Sequence, residues 1–200
     1  KEQARVKAIL INKIIPDKRE QTLKYLDMAF ADEDIKVIGG FNYQPILANP
    51  TMRRIAGVLG VELRANHDQS QRIIHNVQIG AASAQRVVEL LRESTLVIVN
   101  SSRDELLVTL SNLYHLDEFR PKIAGIVIPG SSEISHITMK IINSSGIPYM
   151  IARRTSSKVF EMISDDVSKL TVEDTHKLKL LTELAEKRLK FEEIDALLDD

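Results

Sequence analysis

Three short stretches combine hydroxyls, arginines and glycine in a pattern suited to holding an anion: Asn100-Ser-Ser-Arg103, Pro129-Gly-Ser-Ser132 and Arg153-Arg-Thr-Ser-Ser157. Hydroxyls and free backbone N–H groups donate to phosphate or carboxylate oxygens, and a guanidinium adds a charge-assisted fork. The candidate ligand-binding residues are Ser102, Arg103, Gly130, Ser131, Arg154 and Thr155, with Arg153 and Lys158 as further charge. The alternative is that each serine caps the helix after it while each arginine lies in water, and for any one residue that is the commoner arrangement. Only convergence of the three stretches favours binding.

The surrounding sequence predicts that convergence. Each stretch follows a β-branched run, Thr95-Leu-Val-Ile-Val99, Ile123-Ala-Gly-Ile-Val-Ile128 or Tyr149-Met-Ile151, and precedes a helical pattern. Such runs fit parallel strands buried on both faces. Crossovers of one hand then bring the turns to one sheet edge, where open α/β sheets take their ligands. Ser102 with Glu105 has the form of a capping box, and Ser132 is read as opening the helix that carries Ile134, Ile137, Ile141 and Ile142 and ends at Ser144-Ser-Gly146.

The rest of the chain supplies the frame. A strand over Val6-Lys-Ala-Ile-Leu-Ile11 leads to a helix opened by Asp17 and Glu20, then to a strand at Ile35-Lys-Val-Ile38 that stops at Gly39-Gly40. Residues 41–50 lack any period and read as loop. A helix from Thr51 to Gly60, strands at 61–63 and 73–79, and helices at 84–92 and 156–163 follow. Thr171 with Asp174 is read as capping a last helix, whose Leu178, Leu181, Leu184, Ala185 and Leu189 form one apolar stripe. The expected fold class is α/β, a mainly parallel sheet flanked by helices, with a C-terminal amphipathic helix.

Composition narrows the function. Twenty-seven basic residues against 28 acidic ones leave a net charge of −1, which offers nothing to a nucleic-acid backbone. The chain has no cysteine, as suits a reduced compartment, and no apolar run approaching the ~20 residues of a membrane span, so a cytoplasmic location is expected. No phosphate-cradling G-x-x-x-x-G-K-[ST] and no G-x-G-x-x-G after a strand occur. His67, His75, His115, His136 and His176 show no i,i+4 pair, and no metal site is expected. Gly130-Ser-Ser132 lacks the second glycine of a nucleophile elbow, and the acid pairs Asp165-Asp166 and Asp199-Asp200 read as solvated charge. No catalytic residue is assigned.

Residues from about Thr51 to Ser164 resemble the DRTGG domain, which occurs in some bacterial phosphate acetyltransferases, in certain regulated inorganic pyrophosphatases and, in related form, in HPr kinase. The likeness is carried by Pro50-Thr-Met-Arg-Arg-Ile55 with Leu59-Gly60, Gly80-Ala-Ala-Ser83, Leu96-Val-Ile98 before Arg103-Asp104, Gly125-Ile-Val-Ile128 with Gly130, and Gly146-Ile-Pro148. Ser102 stands where the family has aspartate, Pro129-Gly-Ser131 where it has threonine-glycine-glycine, and Arg154 where a further aspartate is expected. Residues 5–48 are similar to the last two strands of a dethiobiotin synthetase-like, cobyrinic acid a,c-diamide synthase-like P-loop domain, and that likeness makes Asn12 the remnant of a nucleotide-base contact.

The domains implied are therefore a P-loop-domain remnant at 1–48, a DRTGG domain at 49–165 and a helical extension or linker at 166–200. The resemblance implies a non-catalytic regulatory and oligomerisation module, homodimeric, that senses a small anionic metabolite or nucleotide for a linked phosphate acetyltransferase-like catalytic domain. It implies no cofactor in this chain, ATP belonging to a longer protein. Two alternatives stand beside it: a fragment of an ATP-dependent cobyrinic acid synthase-like amidoligase, and a structural dimerisation domain that binds nothing.

Overall fold

The computed structural model describes residues 6–33, 35–167, 170–189 and 191–198. Asp199, Asp200 and the first five residues of the expected P-loop remnant lie outside them. In chain order the elements are β1 (Ala8–Ile14), α1 (Arg19–Ala29), β2 (Lys36–Asn42), α2 (Pro45–Ala48), α3 (Met52–Leu59), β3 (Leu63–Arg64), α4 (His67–Ser70) and β4 (Asn76–Ile79). Then come α5 (Ala84–Glu89), β5 (Thr95–Ile98), α6 (Asp104–Leu113), β6 (Ile123–Pro129), α7 (His136–Ser145), β7 (Tyr149–Ala152), α8 (Ser156–Ser164), α9 (Thr175–Arg188) and α10 (Phe191–Leu198). They form two compact units, Ala48–Asp174 and the pair Lys1–Leu47 with Thr175–Asp200.

The larger unit is a five-stranded sheet in the order β3-β7-β6-β5-β4. The last four strands of that order are parallel, and β3 adds a short antiparallel edge. Every residue of β5 and β6 is buried, as expected of parallel strands covered on both faces. Alternation sorts the side chains: Val97, Val99, Ile126 and Ile128 pack with α6 and α7 through Leu106, Leu107, Leu110 and Ile142. Leu96, Ile98, Val127, Met150 and Ala152 pack with α3 and α8 through Ile55, Leu59, Val159 and Ile163. The parallel α/β fold expected from the β-branched runs is the fold observed.

Local signals hold where their partners are local. Thr51 caps α3, its hydroxyl accepting from the Arg54 N–H at 3.2 Å, and Gly60 and Gly146 close α3 and α7 in the left-handed region. Strand β4 is shorter than the expected 73–79, because Ile73 is engaged in a separate antiparallel bridge to Thr51.

In the smaller unit β1 pairs with β2 in parallel, and α9 packs on β2. Two expectations are corrected here. Strand β2 does not stop at Gly39-Gly40 but runs to Asn42, because β1 pairs Ile11 with Gly40 and Ile14 with Asn42. A side chain at 40 would collide with the Ile11 carbonyl, so this glycine permits the strand rather than ending it. Nor do Asp17 and Glu20 form a capping box. A single 3-10 turn at Pro16–Lys18 precedes α1, and neither N-cap makes a side-chain bond. Among the described residues no helix is long and apolar enough to cross a membrane.

Candidate functional site

The loops that leave β5, β6 and β7 lie side by side at the ends of adjacent parallel strands. They are bonded to one another. The Ser101 N–H donates to the Pro129 carbonyl at 2.8 Å, and the Gly130 N–H donates to the Arg154 carbonyl at 2.9 Å. Ser102, Arg103, Gly130, Ser131, Arg154 and Thr155 thus share one edge. Gly130 has φ 121°, and a Cβ there would run into the Ser101 hydroxyl. Both constraints demand glycine where the β5 and β6 loops touch.

Two side chains that the sequence pattern did not single out build the first loop. Asn100 Oδ1 accepts from the Ser102 N–H at 3.0 Å and from its hydroxyl at 2.9 Å, an Asx turn directly after the strand. Ser101 is 4% exposed, and its hydroxyl is buried without a hydrogen-bond partner in the structure. An asparagine immediately following a β-branched run was the available sequence signal for the turn.

The helix starts differ from expectation, and so do the arginines. Ser102 does not cap α6. The Asx turn holds it, Arg103 occupies the N-cap without a side-chain cap bond, and α6 begins at Asp104. Ser132 opens no helix either, since α7 begins at His136 with Ser135 as N-cap, its hydroxyl accepting from the Thr138 N–H at 3.1 Å. Thr155 does cap α8, accepting from the Lys158 N–H at 3.2 Å. Of the stretches 100–103, 129–132 and 153–157, only the last supplies the helix it opens with a side-chain cap.

Arg103 joins the loops that follow β4 and β5, donating to the Gly80 carbonyl at 3.0 Å and the Ala82 carbonyl at 2.9 Å while pairing with Glu105. That hydrogen bond from Arg103 holds the Glu105 carboxyl below the usual glutamate range. Arg154 reaches back to the last carbonyl of α3, donating to Leu59 at 2.5 Å. Lys158 pairs with Glu161 at 3.0 Å. Arg103 and Arg154 are therefore positioning residues that tie the edge loops to the body of the sheet. Ser131, Ser132, Thr155, Ser157 and Lys158 are exposed at this edge. Asn12, expected at a strand end, lies inside β1 of the other unit, and its Oδ1 accepts from the Lys13 N–H at 2.8 Å. Among the described residues no group of three or more His, Asp or Glu is arranged to hold a metal ion.

Known proteins are similar to parts of this chain. A phosphate acetyltransferase of Pseudomonas putida is 27% identical over 111 residues, which is 54% of this chain and 16% of that protein. This chain thus spans about a sixth of the relative's length. The CBS and DRTGG domains of the regulatory region of Clostridium perfringens pyrophosphatase, solved in complex with the activator diadenosine tetraphosphate, align over 83% of this chain and 76% of that one, with a TM-score of 0.46 and 14% identity. The sequence profile of the DRTGG domain matches residues 54–165, from the third residue after the Thr51 cap of α3 to the residue that ends α8, and so across the whole parallel core. With more than half of its length and all three edge loops inside that match, this chain belongs to the DRTGG domain family.

Proposed function

We propose that the chain is a non-catalytic regulatory and oligomerisation module of a phosphate acetyltransferase-like enzyme, and that the edge loops of its parallel sheet take up a small anionic metabolite or nucleotide. The observation that supports this is the bonding of the three loops into one surface, with the Gly130 N–H bound to Arg154 and the Ser101 N–H to Pro129. Strand-end edges are where such sheets bind ligands, and the N-terminus of α8 adds oriented donors next to exposed hydroxyls. Residues 1–48 are, in this reading, the remnant of a P-loop-type domain of a longer protein. The DRTGG relationship supports the regulatory role, and the chemistry of the loops supports an anionic ligand.

A structural dimerisation domain without a ligand is the second reading. It is favoured by Arg103 and Arg154, whose guanidinium groups serve backbone carbonyls. Calorimetry separates the two. Arg103→Ala would disturb the fold, so the variant of choice is Ser131→Asp, which adds a negative charge on exposed backbone. Adenine nucleotides or acyl phosphates should bind the native chain and bind Ser131→Asp on the order of tenfold more weakly. No heat from any of them leaves the dimerisation reading standing, and equal binding by both proteins takes the ligand away from the edge loops.

A further inference from the structure

Along one side of α3, from its cap to its last turn, runs a groove of about 440 Å³, lined by Thr51, Arg53, Arg54, Gly57, Val58, Thr171, Glu173 and Asp174. The start of the helix is anchored by the Thr51 bridge to Ile73 and by the Met52 N–H, which donates to the Arg72 carbonyl at 3.0 Å. That volume suits a metabolite.

One wall is unusual. Gly57 lies exposed in the last turn of α3, and a Cβ built on it meets nothing within 4 Å. A helical glycine is disfavoured relative to alanine, and neither crowding nor a left-handed φ calls for one here. What the glycine does is leave a strip of helix backbone bare along the open side of the groove.

The charges are also distinctive. Arg54 is committed, held by a two-pronged contact to Asp166 at 2.6 and 3.1 Å, with the Asp166 side chain only 8% exposed. The Asp166 hydrogen bond raises the Arg54 pKa above its ordinary value. Asp174 is committed too, accepting from the Thr171 N–H at 2.8 Å and from its hydroxyl at 3.1 Å. By contrast Arg53 and Glu173 face each other at 3.1 Å with half of each side chain in water. An exposed pair of this kind is weak and exchangeable. Two arginines and two acids line the groove and Asp166 already neutralises Arg54, so a multiply charged anion gains little there. A molecule carrying one charge of each sign can replace both halves of the exposed pair at once.

We propose that this groove binds a small zwitterion of the free α-amino-acid class, its carboxylate taking Arg53 from Glu173 and its ammonium taking Glu173, over the bare backbone of Gly57. Val58 supplies apolar contact for a side chain. This site is separate from the strand-end loops, and neither depends on the other.

The test is titration calorimetry of the intact 200-residue chain with the individual protein amino acids, inorganic phosphate and ATP. Gly57→Leu is the main variant, because it fills the groove from open space and raises helix propensity, so the fold is kept. At least one amino acid should bind saturably and raise the melting temperature. Gly57→Leu, Arg53→Ala and Glu173→Gln should each weaken it by roughly tenfold or more, whereas Ser131→Asp at the strand-end loops should leave it unchanged. Binding of no amino acid, equal binding by Gly57→Leu, or Arg53-dependent binding of phosphate in place of an amino acid would overturn the proposal. Loss of nucleotide binding at the strand ends, with amino-acid binding retained, would count against the other site alone.

Discussion

At the scale of single residues, the edge loops depend on side chains that spend their polarity on the protein itself. Arg103 joins the loop after β5 to the loop after β4 through the Gly80 and Ala82 carbonyls, and Glu105 steadies its guanidinium. Since the Arg103 hydrogen bond depresses the folded-state pKa of Glu105, the stability it contributes is present above the unfolded value and is lost as pH falls through the folded one. Glu105 is largely exposed, so the contribution is small. Melting temperatures taken from about pH 7 down to about pH 3 should therefore show the native chain slightly ahead of Glu105→Gln at neutral pH and the two converging below the glutamate range, near 4.3 in model peptides. A gap that widens on acidification would contradict the assigned role.

At the scale of elements, a second arginine works at the other end of the sheet. Arg72 donates through Nε to the Ser94 hydroxyl at 3.3 Å and through one amino group to the Arg120 carbonyl at 3.0 Å and the Pro121 carbonyl at 2.5 Å. It thereby clamps the segments that lead into β5 and β6. Burial lowers its pKa from the ordinary arginine value, offset in part by the Tyr114 hydroxyl. Removing this fork strands several acceptors, so Arg72→Ala should cost about 1–3 kcal/mol. Arg72→Lys should recover only part of it, because a point charge cannot serve three acceptors at fixed angles. The measurement is urea unfolding: the midpoint should fall with the slope unchanged, and an Arg72→Ala midpoint equal to that of the native chain would show the clamp to be dispensable.

At the scale of the whole molecule, the proposed oligomerisation has a structural counterpart. The five-stranded order ends at β4, whose Ile79 is 40% exposed, and Ile137 on α7 is 72% exposed. An open strand edge and apolar residues in water are surfaces that a second copy can cover. Sedimentation of the intact chain at tens of micromolar, an order of magnitude within ordinary transient affinities, should give a homodimer. A monomer at that concentration would argue that these surfaces meet a different partner or none. Charged substitutions at Ile79 and at Ile137, tested separately, should identify which surface is used.

What the sequence by itself determined is what short-range physics carries. Fully apolar β-branched runs mark buried parallel strands, Thr51 and Thr155 mark helix starts, Gly60 and Gly146 mark helix ends, and from these follow the α/β class and the side-by-side position of the three edge loops. Competition between neighbouring caps was harder to read: Asn100 took Ser102 away from α6, and Ser135 displaced Ser132, because several short polar side chains within a few residues offer nearly equivalent bonds. The destinations of the arginines were decided by tertiary structure alone. Arg154 finds a carbonyl 95 residues away, Arg103 finds carbonyls 21 and 23 residues away, and Arg53 meets Glu173 across a groove. A long, flexible cation reaches whatever acceptor the folded chain brings within several ångströms, and no local pattern records which one that is.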